Sequence, residues 1–331
     1  MAGPSVSAAE IANACVADAT AVLTDTYSDD AIWYNGVFEV VPTSQASHGP
    51  WGDKSSTIVF GSQPRERRDG ESVSYSRAVS GFTPQGAILL YGEGVAIPER
   101  AMEGNQGKQN AVKLVTELTK QFTRGAIDQK NDRVGRMLNK GAFTAGDVAA
   151  FRNSFEGNSA VDGLVYTGKK LFADDHPLAI GGSTVIDNYL SGVALDAAGI
   201  DAAYIRMAQT NAIDEAGARV TINPRIALVP PQLRTAAHTY LKSPDQPDTT
   251  NRSVNANMGL VDYKVVRNLT ATAGWFLVGA PEAIRVFDDG APVLSNWWNP
   301  ETRSWHFYLE YRHGAYVRDV RHIIGANIAT S

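Results

Sequence analysis

The stretch QGKQNAVKLVTELTKQFTRGAIDQKNDRVGRMLNK, residues 106–140, carries the strongest periodic signal in the chain. Val112, Val115, Leu118, Phe122, Ala126, Val134, Met137 and Leu138 return every three or four positions, as one apolar helix face does. Pro98 and Gly104 precede it and Gly141 ends it, so the pattern predicts one helix over 106–140. At its usual rise that helix would be about 50 Å long. Gly125 and Gly135 are expected to weaken it by about 1 kcal/mol each and to allow a bend. It holds eight basic residues and three acidic ones, a local charge of +5. The polar face reads either as a solvated surface with i,i+4 pairs or as a surface turned towards polyanion.

On the N-terminal side, residues 57–97 read as extended. Thr57–Phe60 is a short β-rich run, and Arg68-Asp69-Gly70-Glu71 is a turn signal. Val73, Tyr75, Arg77 and Val79 alternate with small polar residues, and Ala87–Tyr91 is a further strand. Residues 63–68, Gln-Pro-Arg-Glu-Arg-Arg, are too polar for a core. The segment therefore reads as a long β-hairpin with a charged tip, projecting from the body. Such a ribbon is marginal alone, and a neighbouring subunit is the natural support. Ser7–Thr24 is alanine-rich and weakly amphipathic, and is expected to be an arm and not a core helix. Residues 25–56 carry Trp33, Tyr34, Phe38 and Trp51 among polar residues. These aromatics either fill this chain's core or dock on another chain. Trp33, Tyr34 and Trp51 are carried forward as candidate contacts between subunits.

On the C-terminal side the pattern changes. Short helices are expected at Thr144–Asn153 and Gln232–Leu241, with an alanine-rich helix pair over Ser191–Gln209 broken at Gly199. Strands are expected at Leu164–Tyr166, Arg219–Asn223, Arg225–Val229, Tyr263–Val266, Trp275–Val278 and from Trp305 to Arg312. This irregular alternation is α+β and not doubly wound. No internal repeat is visible.

Composition narrows the class. The chain has 331 residues, 44% apolar and 20% charged, which excludes a disordered or collagenous protein. That length fits two domains, or one with large excursions. One cysteine, Cys15, permits no disulfide within the chain and no cysteine-based zinc site, and suits a reducing cytosol. The net charge of −5 advertises no general affinity for nucleic acid. No run of 18 apolar residues exists and no basic segment followed by an apolar one opens the sequence, so neither a membrane span nor a signal peptide is expected.

Enzyme signals are sparse. Asp174-Asp175-His176 offers ligand types for zinc or iron, the basis of a metal-dependent hydrolase reading. Adjacent residues on an extended chain point to opposite sides, however, and the other histidines show no ligand spacing. The alternative is a turn in which Asp caps the next segment and His-Pro fixes an extended kink. Gly92-Glu93-Gly94 lacks the third glycine of a dinucleotide fingerprint. No P-loop and no Gly-x-Ser-x-Gly elbow occurs, and Cys15 has no adjacent base. No catalytic residue, cofactor site or metal site is assigned.

The order of parts (arm, charged hairpin, long amphipathic helix, α+β lobe, returning strand) resembles the HK97 fold of tailed-phage major capsid proteins. Three runs in the second half, Leu171–His176, Asn188–Ser191 and Ile222–Leu233, are similar to the Mu-like major head subunit family, as is the aromatic close Trp305–Gly314. The resemblance covers about residues 160–324. It implies residues 1–50 as N-terminal arm, 51–104 as extended loop with flanking strands, and 105–184 as peripheral domain with the spine helix 106–140. It further implies 185–295 as axial domain and 296–331 as returning strands.

The function implied is a head protein that self-assembles into hexamers and pentamers of an icosahedral shell around double-stranded DNA. Portal, a separate scaffolding protein and a decoration protein are the implied partners, with no membrane. The implied location is the virion, with assembly in the host bacterial cytoplasm. A cellular nanocompartment shell of the same fold is the alternative. Non-specific DNA contact would fall to Lys113, Lys120, Arg124 and Lys130 on the spine. Some members of the fold join a loop lysine to a neighbour's asparagine, but no lysine lies between Ser55 and Gly107 here. Arg65, Glu66, Arg67, Arg68, Asp69 and Glu71 are expected instead to form salt bridges between subunits. The fifty residues before the hairpin are short for a built-in scaffold, and the leading Met1 points to a separate one.

Overall fold

The computed structural model describes residues 8–328 apart from 57, 61–65, 67, 70, 73–77, 143–147, 149, 156–160 and 246–253. The periodic stretch is a helix, α2 (Gly104–Asn139), one continuous 36-residue element. Its first half buries one stripe, Ala111, Val115, Thr119 and Thr123, while its second half runs through the interior. Gly135 is no weak point. A Cβ there would stand 2.8 Å from Asn268 Cβ, so glycine is what lets α2 approach the 268 loop. Asn139 then closes that contact, donating to Asn268 O at 2.7 Å and accepting from Thr270 N at 2.9 Å.

α1 (Ala8–Thr26) lies along α2, which corrects the expectation of an arm outside the core. Ile11, Ala12, Cys15 and Ala19 are buried against Ala111 and Val115 of α2 and against Ile97 and Phe307. The small side chains that make the helix look weakly amphipathic allow close packing. Charge adds to the fit: α1 holds three carboxylates, Glu10, Asp18 and Asp25, and neither lysine nor arginine, beside the basic α2.

Two sheets complete the body. The first has six strands: β1 (Glu39–Val41), β12 (Ile284–Asp288), β14 (Ser304–Val317), β5 (Gln85–Pro98) and β2 (Gly52–Lys54) in that order, with β13 (Val293–Asn299) paired on β14. Its centre is the antiparallel pairing of β5 with β14, from Pro98 opposite Ser304 to Ile88 opposite Gly314. Gly92-Glu93-Gly94 lies inside β5. A Cβ at Gly94 would come within 2.7 Å of Phe307 O, so that glycine serves strand pairing and not a nucleotide. α1 and α2 cover one face of this sheet through Val95, Ile97, Leu294, Trp305 and Phe307.

The second sheet has the order β10 (Asp262–Val265), β9 (Ile226–Val229), β11 (Trp275–Val278), β15 (Ile323–Ala326), β8 (Tyr189–Leu190). α3 (Ala197–Ile205) and α4 (Arg234–Leu241) pack on it around Trp275, Leu277, Ile200 and Leu241. The end of the chain thus returns to the second sheet, not only the first. Met137 and Leu138 of α2, Phe172, Phe276 of β11 and Val286 of β12 share one core that joins the sheets.

Some local expectations fail. Leu164–Tyr166 is a turn held by Val165 N–H donating to Lys169 O at 2.8 Å, with Gly163 and Gly168 at φ 92° and 76°. The Ser191–Gln209 region holds α3, which runs on into a π-helical turn over Arg206–Thr210; Asp196 caps α3 by accepting from Gly199 N at 2.7 Å, so Gly199 lies in its first turn instead of breaking a helix pair. Arg219–Asn223 forms only an isolated bridge, Arg219 to Ile213. Of the helix expected over Thr144–Asn153, residues 144–147 and 149 lie outside the described ones, and 150–153 are not helical.

Candidate assembly surfaces and the interior polar lock

Of the expected hairpin, the residues nearest the body pair, while Val73, Tyr75 and Arg77 lie outside the described residues. β3 (Ile58–Phe60) pairs antiparallel with β4 (Ala78–Ser80), Ile58 opposite Ser80, as a two-stranded sheet joined to neither larger one. At its tip Glu66, Arg68, Asp69 and Glu71 are exposed. Glu71 accepts from the Arg68 backbone N–H at 3.0 Å, while Glu71 N–H donates to Arg68 O at 3.1 Å, a closed turn. Arg65 and Arg67 lie outside the described residues.

The aromatic candidates divide. Trp33 and Tyr34 are buried in the chain's own core, which corrects their assignment to a contact between subunits. Trp33 N–H donates to Asn131 Oδ1 and its indole Nε1–H to Asn131 O, both at 3.0 Å; Asn131 Nδ2 donates to Ala31 O at 2.8 Å. Trp51 is 58% exposed and stays available to a neighbour.

The spine cations divide as well. Lys113 and Arg124 are exposed. Lys120 is half-buried and reaches Glu117 at 3.4 Å, a surface pair worth about 0–1 kcal/mol. Lys130 is buried and reaches no polyanion, which corrects that candidate. Its ammonium donates to Asp288 Oδ1 at 2.5 Å and to Gly290 O at 2.6 Å, and lies 5.2 Å from the ring centres of Tyr27 and Tyr311. Tyr34 OH donates to Asp288 Oδ2 at 2.7 Å and stands 3.2 Å from His313 Nε2. Arg133, also buried, donates to Tyr91 OH at 2.8 Å.

This lock ties α2 to β12, β14 and the 27–34 segment. Burial, with Arg133 and Lys130 beside it, pushes the His313 imidazole well below its ordinary value, so it is neutral. Burial next to the Asp288 carboxylate pushes the Tyr34 hydroxyl up, so it remains a donor. A second network crosses β1, β12 and β14. Arg285 grips Glu39 through two nitrogens at 2.9 and 3.0 Å, and Arg318 reaches Glu39 at 2.9 Å. Burial raises the Glu39 carboxyl, but the hydrogen bonds and charge of Arg285 and Arg318 outweigh it and hold the group below its usual range.

Asp174-Asp175-His176 forms no site. His176 is fully buried with both ring nitrogens engaged, Nε2 with Leu171 O at 2.9 Å and Nδ1 with Thr167 Oγ1 at 2.8 Å. Asp175 faces outwards and pairs with Lys169. Among the described residues no group of three or more His, Cys, Asp or Glu is placed to hold a metal ion.

The sequence reading missed the outer face of the first sheet. Leu90, Val293 and Trp297 stand exposed on the side away from α1 and α2, and the Trp297 ring stacks on His306 at 4.6 Å. Between them run Gly92, Gly94 and Ala96 of β5, in register with Glu310, Tyr308 and His306. The alternation of Val293, Ser295 and Trp297 in β13 was the available signal.

A long helix beside one β-sheet, a two-stranded hairpin and a second sheet with its own helices give the chain a mixed helix-and-sheet architecture. Residues 91–326 match the family model described as phage capsid protein, and the chain belongs to that family. Similar solved structures include the capsid of an empty GTA particle, at 9% identity, covering 90% of each chain with a TM-score of 0.49. Gordonia phage Cozz matches at 11% identity over 91% of this chain and 87% of its own, with a TM-score of 0.48. The capsid of Ralstonia phage GP4 matches at 12% over 91% and 90%, with a TM-score of 0.47. No curated protein matches the chain. The protein is a major capsid protein, a component of the virion capsid that assembles with further copies into its shell.

Proposed function

We propose that this chain forms the hexamers and pentamers of a closed icosahedral shell around double-stranded DNA, each copy lending its hairpin to a neighbour. The observation that carries this reading is the isolation of the β3–β4 ribbon, which among the described residues adds to neither large sheet. A two-stranded ribbon is marginal in water, whereas a docked one gains area without enlarging the core. One projecting element and one bare sheet face per copy define a head-to-tail contact, which closes into rings when the rotation allows. The outer face around Leu90, Val293 and Trp297, with Trp51, supplies the apolar part of such contacts. Arg65, Glu66, Arg67, Arg68, Asp69 and Glu71 supply the charged part.

Lys113 and Arg124, with Lys120 beside Glu117, are the spine positions proposed for non-specific phosphate contact with packaged DNA. Portal, a separate scaffolding protein and a decoration protein complete the proposed set of partners. Assembly is proposed to take place in the cytoplasm of the host bacterium.

The test of the hairpin contact is the variant carrying Arg65→Ala, Arg67→Ala and Arg68→Ala. Its shells are expected to melt at lower temperature than the parent's in a scanning calorimeter. Each pair contributes only about 0–1 kcal/mol, but the loss repeats in every copy. Unchanged melting would refute the charged contact.

A further inference from the structure

We propose that Asn35–Gly36 is a self-modification site, at which the Asn35 carboxamide is lost and an aspartyl or isoaspartyl residue takes its place. The pair occupies the turn Tyr34–Phe38, where Val37 N–H and Phe38 N–H both donate to Tyr34 O at 3.0 Å. The reaction joins the Gly36 backbone nitrogen to Asn35 Cγ. The Cγ–Nδ2 bond then breaks, ammonia leaves and a five-membered imide remains. Water opens the imide at either carbonyl, so asparagine plus water gives aspartate or isoaspartate plus ammonia. No other reactant is needed.

Three observations favour this site. The Gly36 N–H donates no hydrogen bond among the described residues, so the nucleophile is free. Gly36 has φ 73° and no Cβ, so the nucleophilic nitrogen carries none of the steric hindrance that a side chain on the following residue would add. Lys264 Nζ donates to Asn35 O at 3.4 Å. That carbonyl belongs to the same peptide group as the Gly36 nitrogen, and an ammonium on its oxygen makes the N–H more acidic. Loss of that proton is the step that creates the nucleophile. Arg225 adds positive charge from the far side, donating to Gly36 O at 3.0 Å and to Val37 O at 2.7 Å.

The product has a structural consequence. Asn35 Nδ2 donates to Asp29 O at 3.0 Å, a bond that a carboxylate cannot make. The new charge turns from that carbonyl towards Lys264 and Arg225, which reach the backbone oxygens of Asn35, Gly36 and Val37. Lys264 lies on β10 and Arg225 just before β9, so the modified turn would tie the N-terminal segment to the second sheet by charge.

The test is chymotryptic peptide mapping of purified shells, or of the unassembled subunit, after incubation at neutral and mildly alkaline pH. Asn35 is expected to convert ahead of the exposed asparagines Asn13 and Asn110, with a rate rising in proportion to hydroxide. Lys264→Met should slow the conversion several-fold, and Lys264→Arg should restore it. Asn35 converting no faster than Asn13 and Asn110 would overturn the site. A Lys264→Met rate equal to the parent's would overturn the role given to the ammonium. Neither readout depends on shell formation, so the outcome is separate from the fate of the assembly reading.

Discussion

A Lys130→Met chain is expected to lose about 3–5 kcal/mol of folding stability, read by urea unfolding of the disassembled subunit. The substitution preserves an unbranched chain of similar length, so packing changes little. What it removes is the one cation that pairs with Asp288 among the described residues, and the Asp288 side chain is 6% exposed beside a fully buried Lys130. The carboxylate keeps Tyr34 OH and the Gly290 N–H but is left as an uncompensated charge. Whole domains are stable by only about 5–15 kcal/mol, so a loss of this size threatens folding itself. The double variant Lys130→Met with Asp288→Asn should recover most of the loss, because the stranded charge goes with it. A single variant within 1 kcal/mol of the parent, by the same unfolding measurement, would show that the pair does not hold α2 to the sheet.

Acid is expected to produce the second large effect. His176 and His313 are buried and neutral, each with its imidazole pushed below the ordinary value chiefly by burial. In the unfolded chain both take up protons below about pH 6.5. As pH falls through that value the unfolded state binds protons that the folded state refuses, so stability falls. The slope is about 1.4 kcal/mol per pH unit for each histidine, or about 2.7 for the two, until the folded pKa values are reached. Below about pH 4 the carboxylates Glu39 and Asp53, held low by their arginine and hydroxyl partners despite burial, add in the same direction. Urea midpoints measured from pH 7.5 to 5 should therefore drop steadily, and His313→Gln should remove only its own share of the slope, the rest coming from His176 and from His322, whose imidazole burial also pushes down. A flat profile for the parent would contradict the neutral buried state of these rings.

The long helix was legible because its period is local: each apolar position in 106–140 repeats the last, whatever it packs against. The pairing of Ile58–Phe60 with Ala78–Ser80 was legible for the same reason, since short β-rich runs announce strands without tertiary help. Partners far along the chain were not. Lys130 reads as one more surface lysine, because Asp288 stands 158 residues away. Trp33 reads equally as core or as a contact until Asn131, 98 residues on, takes both of its N–H groups. α1 read as a detached arm because Ala12, Cys15 and Ala19 add little to an apolar face, although such side chains permit the closest helix contact. Leu164–Tyr166 has strand-like residues, but the glycines on either side, at positive φ, bend it into a turn. The bare outer face of the first sheet was hidden because β13 shows exposure only once its pairing with β14 fixes which side α1 and α2 cover.

The central claim is tested most directly by negative-stain electron microscopy of the purified full chain. The account predicts closed, uniform particles built from many copies, or rings and partial shells of the same curvature. A population of single compact molecules, unchanged at high concentration and resistant to protease across residues 57–81, would contradict it.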